Sequence, residues 1–226
     1  MYFTRLRLRP GLERHPVFRR ALGESYETHR LIWTLFGDRP DRDRDFLYRR
    51  ELNGWGATFY LVSARKPEDP DSLWDMEPKP YRPRLSAGQT LFFSLRANPV
   101  RSKRDENGRL HRHDVVMEAK HKLKQEKRPR ETWPSQAELI QAAGKSWLAA
   151  RAARHGFTVD PALIRADAYQ PPDPGGRGKG REVRHAVMDL SGLLRVSDPD
   201  LFLETLYRGL GPAKAFGCGL MLVRRP

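Results

Sequence analysis

A single cysteine, Cys218, stands in 226 residues, so no intrachain disulfide can form and a cysteine-rich zinc site is excluded. No apolar run approaches the ~18 residues that a membrane-spanning helix needs. No basic helix with a long apolar face suggests a membrane surface either. The opening residues, Met1-Tyr2-Phe3-Thr4-Arg5-Leu6-Arg7-Leu8, lack the apolar core of a signal peptide. A cytoplasmic protein with no membrane partner is expected. Nucleotide-hydrolase, metalloprotease and serine-hydrolase signatures are also missing: Gly-x-x-x-x-Gly-Lys-Ser/Thr, His-Glu-x-x-His and Gly-x-Ser-x-Gly do not occur. Acidic residues are scattered, without the clustering that a two-metal nuclease requires. No cofactor and no metal ligands are predicted.

What the chain has in excess is positive charge. Lysine and arginine total 42 against 28 acidic residues, a formal net charge of +14. Such an imbalance favours a polyanionic partner, most often nucleic acid. The hydrophobic fraction is 38% and the sequence holds 5 Trp, 10 Phe and 7 Tyr, enough apolar bulk for a packed core.

Tyr2, Thr4, Leu6 and Leu8 alternate with Phe3, Arg5 and Arg7, which predicts a strand. A helix capped by Ser25 follows, with Leu31, Ile32, Leu35 and Phe36 on its apolar face, ending at Gly37-Asp38-Arg39-Pro40. Residues 46–52 and 57–64 read as strands around the turn Asn53-Gly54-Trp55-Gly56. A Pro/Asp-rich loop with a helical turn near Leu73 and Trp74 precedes a strand over 90–97. The order β-α-β-β-loop-β is compatible with a ferredoxin-like unit. Asn98-Pro99 and a charged stretch then place a domain boundary, giving domains 1–99 and 100–226. In the second domain a strand is expected to start over 113–118. Ser135-Gln136-Ala137-Glu138 matches a capping box. Extended segments cover 157–159 and 163–169. Runs 183–190 and 193–196 flank Ser191-Gly192 as a hairpin. Asp198-Pro199 opens a last helix. This order is roughly β-α-β-β-α-β, so the fold class is α+β.

Two places carry chemistry. Tyr26 and His29, three apart at the start of the first helix, lie on one face, with Arg30 beside them. Imidazole can both take and give a proton near neutral pH, and a phenol beside it can orient a nucleophile. Packing roles for both rings are the alternative. The second place is Gly209-Leu210-Gly211-Pro212-Ala213-Lys214-Ala215-Phe216-Gly217-Cys218-Gly219-Leu220. Four glycines and one lysine there can cradle a phosphate, or Gly209 can simply cap a helix. His111 and His113 read as solvated or phosphate-facing groups. With a polyanionic partner and no metal, the pair Tyr26/His29 points to cleavage of RNA by its own 2′-hydroxyl.

The chain resembles the CRISPR RNA-processing endoribonucleases of the CasE type. The resemblance rests on Tyr26-Glu27-Thr28-His29-Arg30, Lys79-Pro80-Tyr81, Leu95-Arg96-Ala97-Asn98-Pro99 and the glycine run 209–220, in the family's order. It implies two tandem ferredoxin-like (RRM-like) βαββαβ domains. It implies binding of a CRISPR repeat hairpin and one metal-independent cut that leaves a 2′,3′-cyclic phosphate and a 5′-hydroxyl. It places the family's active-site histidine on His29 and its tyrosine on Tyr26. Precursor and mature guide RNA, and the other subunits of the Cascade complex, are the implied partners. RNA-binding candidates are Arg30, Arg101, Lys103, Arg104, Arg177, Lys179, Arg181, Arg184, Gly209, Gly211, Lys214 and Gly217. A non-catalytic RNA-binding or assembly subunit of the same fold is the alternative.

Overall fold

The computed structural model describes residues 1–23, 25–37, 44–54, 56–171 and 185–226, with Ser25 and Tyr26 described by backbone alone. Two compact units form: Met1–Arg84 with Glu204–Leu220, and Leu85–Leu203 with Met221–Pro226. The contacts therefore do not divide at residue 99, where the sequence suggested a boundary.

The first unit contains β1 (Tyr2–Leu8), α1 (Pro16–Leu22), α2 (Ser25–Trp33), a 3₁₀ turn (Thr34–Phe36), β2 (Phe46–Asn53), β3 (Gly56–Ser63), β4 (Trp74–Met76) and β5 (Lys79–Pro80). Its antiparallel sheet runs β2-β3-β1-β4, with β5 also on β1. The alternation in β1 buries Thr4 and Leu6 and exposes Arg5 and Arg7. Leu31, Ile32, Leu35 and Phe36 cover the sheet face built from Leu6, Phe46, Tyr48, Phe59 and Leu61. The helical stretch ends at Gly37, whose φ of +55° reverses the chain as predicted. Helix α1 has no strong periodic signal. It is seven residues long, with proline in its first turn and the His15 ring accepting from the Val17 N–H at 3.2 Å. Near Leu73 and Trp74 the expected helical turn is the strand β4. The Asp69 carboxylate accepts from the N–H groups of Leu73 and Trp74, and the indole is buried edge-on to Phe59 with centroids 5.5 Å apart. Burial of one large aromatic outweighs the polar composition around it.

The second unit contains β6 (Thr90–Ala97), β7 (Val100–Arg104), β8 (Leu110–Asp114), α3 (Val115–Gln125), α4 (Gln136–Ala152), β9 (Phe157–Gln170), β10 (Val187–Val196), α5 (Pro199–Arg208) and β11 (Met221–Arg224), the first half of α5 belonging here. Its sheet runs β11-β6-β10-β9, all antiparallel, and β7-β8 is a separate hairpin. The βαββαβ order with strand order 4-1-3-2 is the ferredoxin-like arrangement. Strand β6, read from sequence as the last strand of the first domain, is thus the first strand of this unit. In the first unit the short β4 takes the position beside β1.

Three further differences have local causes. A helix, not a strand, starts at Val115, because the Asp114 carboxylate accepts from the N–H groups of Val116 and Met117 at 3.0 and 2.8 Å. The capping box at Ser135 and Glu138 forms as expected. Ser191-Gly192 is no hairpin turn. Strand β10 runs straight through it, with a register irregularity beside Gly192. A Cβ at Gly192 would lie 2.1 Å from the Leu163 carbonyl oxygen, at a φ of +151°. Only glycine admits so close an approach of β9. Gly192→Ala is expected to cost roughly 3 kcal/mol or more, since the β9 backbone at Leu163 and Ile164 must move to admit a Cβ. Denaturant unfolding of the purified variant checks this; an unchanged midpoint would show that β9 relaxes freely.

Candidate active site

Helix α2 is held in place before it carries chemistry. Arg50 of β2 donates from Nη1 to the carbonyl oxygens of Ala21 and Gly23 at 3.1 and 2.5 Å and to Thr28 Oγ1 at 3.1 Å. The buried Thr28 hydroxyl donates to the Arg20 carbonyl at 3.4 Å. One arginine thus ties the α1–α2 connection to the sheet and sets how α2 presents its next residue, His29.

The His29 ring is half-buried among aromatic rings, with centroids 5.5 Å from Trp33, 5.9 Å from Phe46 and 6.3 Å from Tyr48. Its Nε2 is buried and meets no hydrogen-bonding group among the described residues. Burial first, and the Arg44 guanidinium second, hold its pKa below the ordinary imidazole value. The neutral ring, able to accept a proton, is therefore the resting form at neutral pH.

Arg44 precedes β2 and was not singled out by the sequence. Its Nη1 is buried and likewise without a hydrogen-bond partner among the described residues. The adjacent acid, Asp45, is gripped by Arg65 through two 2.7 Å contacts. Lys214 lies in the same neighbourhood. Its ammonium is held below the usual lysine range by burial, then by Arg44 and Arg208. Arg44 beside the half-buried imidazole and Lys214 under the influence of Arg44 make a place that an anion would stabilise.

The glycine run belongs to the first unit and packs against α2 and β2. Gly209 is buried, caps α5 through its N–H to the Thr205 carbonyl at 2.8 Å, and has a φ of +73°. A Cβ there would sit 2.9 Å from the Gly219 carbonyl oxygen and from a Leu47 methyl. Its helix-cap reading and its part in the loop are thus both real: it folds the run back onto β2. Gly217 is buried against the Tyr48 ring, and Gly211 and Lys214 are half-buried. Tyr48 donates from its hydroxyl to the Ala215 carbonyl at 3.1 Å, and burial pushes its pKa far above the usual phenol value. Tyr48 is therefore a wall of the site rather than a proton carrier.

The other predicted residues fall as follows. Tyr26 sits in the first turn of α2, one turn ahead of His29. Arg30 is exposed and pairs with Glu27 at 3.9 Å. Arg101, Lys103 and Arg104 lie in the second unit on the β7–β8 hairpin. Glu118 pairs with Lys103 and with Arg101, and Arg104 donates to the Gly108 carbonyl at 2.8 Å. Arg177, Lys179, Arg181 and Arg184 lie outside the described residues. His111 pairs with Asp105 at 2.7 Å on the exposed hairpin. Two of the sequence motifs prove architectural. Arg96 makes a two-pronged pair with Asp189 at 2.8 and 2.7 Å, and buried Asn98 donates to the Ala186 carbonyl at 2.6 Å. Tyr81 packs between Phe3, tilted to it, and Tyr207, edge-on to it, with centroids 5.5 and 5.8 Å away. Among the described residues no three His, Cys, Asp or Glu side chains gather as metal ligands, and no helix is long and apolar enough to cross a membrane.

The chain is similar to the CRISPR system Cascade subunit CasE of Escherichia coli (strain K12), 29% identical over 198 residues that cover 87% of this chain and 89% of the relative. It is similar to the CRISPR-associated endoribonuclease Cse3 of Thermus thermophilus, 29% identical over 240 residues, with 99% of each chain covered. Among solved structures, CRISPR endoribonuclease Cse3 bound to a 19-nucleotide RNA superposes with a TM-score of 0.67 at 25% identity, over 99% of this chain and 98% of that one. The family model described as CRISPR associated protein matches residues 1–225, and the chain belongs to that family.

Proposed function

We propose that this protein is an endoribonuclease that binds a CRISPR repeat hairpin and cuts precursor CRISPR RNA by attack of a 2′-hydroxyl on the adjacent phosphate. The observation that carries the reading is the His29 imidazole, half-buried, unpartnered at Nε2 among the described residues and beside Arg44, which in turn acts on Lys214. The reaction needs a base for the 2′-hydroxyl, an acid for the leaving 5′-oxygen, and positive charge around the pentacoordinate phosphorane. His29 is the general acid/base. Tyr26, three residues earlier on the same helix, orients or deprotonates the 2′-hydroxyl. Arg44 and Lys214 stabilise the charge on the phosphate oxygens, and the glycine run shapes the pocket around Lys214. The 2′-oxygen forms a bond to phosphorus, the bond to the 5′-oxygen breaks, and a 2′,3′-cyclic phosphate and a 5′-hydroxyl result. Neither step calls for a metal or a cofactor.

The relatives extend this reading. One is named a Cascade subunit and another was solved with RNA bound. We assign this chain the same partners, other Cascade subunits and the guide RNA it has cut, and a place in the cytoplasm.

Two measurements test the reaction. A 2′-deoxy substitution at the nucleotide before the cut is expected to abolish cleavage of the cognate repeat, and a chelator is expected to leave the rate unchanged. Cleavage of the deoxy substrate would rule out the 2′-hydroxyl as nucleophile. An intact, tightly bound hairpin would establish a binding subunit instead.

Lys214→Ala is expected to weaken hairpin binding across RNAs and to lower the slope of log affinity against log salt by ~0.9, one phosphate contact. An unchanged slope in a titration from low to moderate salt would remove Lys214 from the phosphate site.

A further inference from the structure

The second unit holds a groove of about 1030 Å³ that the active-site reading does not use, between the end of β8, one side of α3 and the segment 130–136. Its walls carry Lys103, Arg112, Lys120, Lys124, Arg130 and Trp133. Among the described residues two acids, Asp114 and Glu118, line it; Glu118 and Asp114 Oδ1 are engaged within the protein, while Asp114 Oδ2 is buried without a hydrogen-bond partner there. Asp114 caps α3 and accepts from the Tyr169 hydroxyl at 2.8 Å, while Glu118 holds Lys103. Arg112, Lys120, Lys124 and Arg130 form no ion pair among the described residues. Four uncompensated cations thus face one concavity. The groove also contains an aromatic surface. Trp133 is half-exposed, its indole N–H is fixed on the Arg128 carbonyl at 3.0 Å, and the Arg130 guanidinium lies 6.0 Å over the ring.

We propose that this groove binds a single-stranded stretch of RNA, its phosphates held by Arg112, Lys120, Lys124 and Arg130 and one base stacked on Trp133. The inference rests on the RNA-binding reading above and adds a second site to it. A cationic groove with an aromatic platform is how proteins hold a single strand with little sequence preference. Duplex RNA is read differently, across successive minor grooves of a long helix, and needs no stacking surface. The groove volume lies at the upper end for small-molecule pockets, ~300–1,000 Å³. Its charge, however, suits a chain of phosphates better than one compact ligand. His113 and His121 also line the groove.

The experiment uses the full chain and a fluorescein-labelled octauridylate, which cannot form a hairpin. A Lys120→Ala, Lys124→Ala, Arg130→Ala triple variant is expected to bind it at least ~10-fold more weakly. Its salt slope should fall by about 2, at ~0.7 per phosphate contact on a single strand. A charge-matched control, Arg5→Ala, Lys122→Ala, Arg154→Ala, changes exposed residues outside the groove and should bind as the parent does. Trp133→Ala should lose ~10-fold and Trp133→Phe should recover most of it, which a general charge effect would not produce. A 4-thiouridine version of the probe should crosslink to peptides within residues 103–139. Equal loss in the control triple, or crosslinks confined to other peptides, would overturn the proposal. Tighter binding of an octaglutamate peptide than of the octauridylate would overturn it in favour of an acidic protein partner. Hairpin cleavage by the His29→Ala variant is followed in parallel. If that variant cleaves normally while the groove variants lose the octauridylate, the nuclease reading fails and the groove assignment stands. The converse pattern removes only the groove.

Discussion

Replacing His29 by alanine is expected to slow single-turnover cleavage of a repeat hairpin by ~10²–10⁴-fold, the range for loss of one positioned proton-transfer group. Hairpin affinity should stay within a few-fold of the parent. The separation of the two effects follows from the site. In the proposed reaction His29 contributes proton transfer at one phosphate, whereas affinity for a polyanion is spread over many cations of a chain with net charge +14. Removing the ring leaves Trp33, Phe46 and Tyr48 packed around the space, and the helix is still tied down by Arg50 through Thr28 and the carbonyls of Ala21 and Gly23. Circular dichroism should therefore be unaltered. If the alanine variant cleaves at the parental rate, the imidazole has no part in the chemistry and the enzymatic reading of this site ends.

The second large effect is expected at Arg44. Arg44→Gln should lower the cleavage rate by ~10²-fold, as removal of one preorganised donor to a developing oxyanion does in other enzymes. It should also move the pH dependence in a definite direction. Among the described residues Arg44 is the charged group that acts on His29; the Tyr48 hydroxyl, its ring beside the imidazole, is kept protonated by burial, and Lys214 is itself influenced by Arg44. Burial first and the positive neighbour second disfavour the imidazolium, so the parental His29 pKa lies below its ordinary value. Taking the neighbour away raises it. Whichever proton transfer His29 performs, the limb of the pH–rate profile that it governs moves to higher pH in Arg44→Gln. Arg44→Lys keeps the charge and should leave that limb in place while losing the second donor of the guanidinium fork. NMR titration of the His29 ring checks the shift directly. A profile that stays where it was, with a normal rate, would take Arg44 out of the site.

Much of this was legible along the chain. Period-two alternation in residues 2–8 and 90–97 determined strands, because each strand has one buried face and one exposed face. Caps and breakers at Ser135, Glu138, Gly37 and Asp198 determined helix ends, because they satisfy backbone groups locally. Where two local signals competed, sequence misled. Ser191-Gly192 has the composition of a turn, but the glycine is needed for close approach of β9, a contact with residues far back in the chain. Trp74 lies in a polar stretch, and only a distant partner, Phe59, decides its burial.

By itself, the sequence determined the class of partner, the histidine that could move a proton, and the glycine run that could shape a phosphate pocket. Charge balance, residue chemistry and helical spacing are properties of the chain that no packing alters. Tertiary structure alone decided that β6 opens the second sheet, that Arg44 stands beside His29 and acts on Lys214, and that four cations of the second unit share a groove. Strand pairing and burial depend on residues far apart in sequence. The pKa of an imidazole is set by what surrounds it, not by what precedes it in the chain.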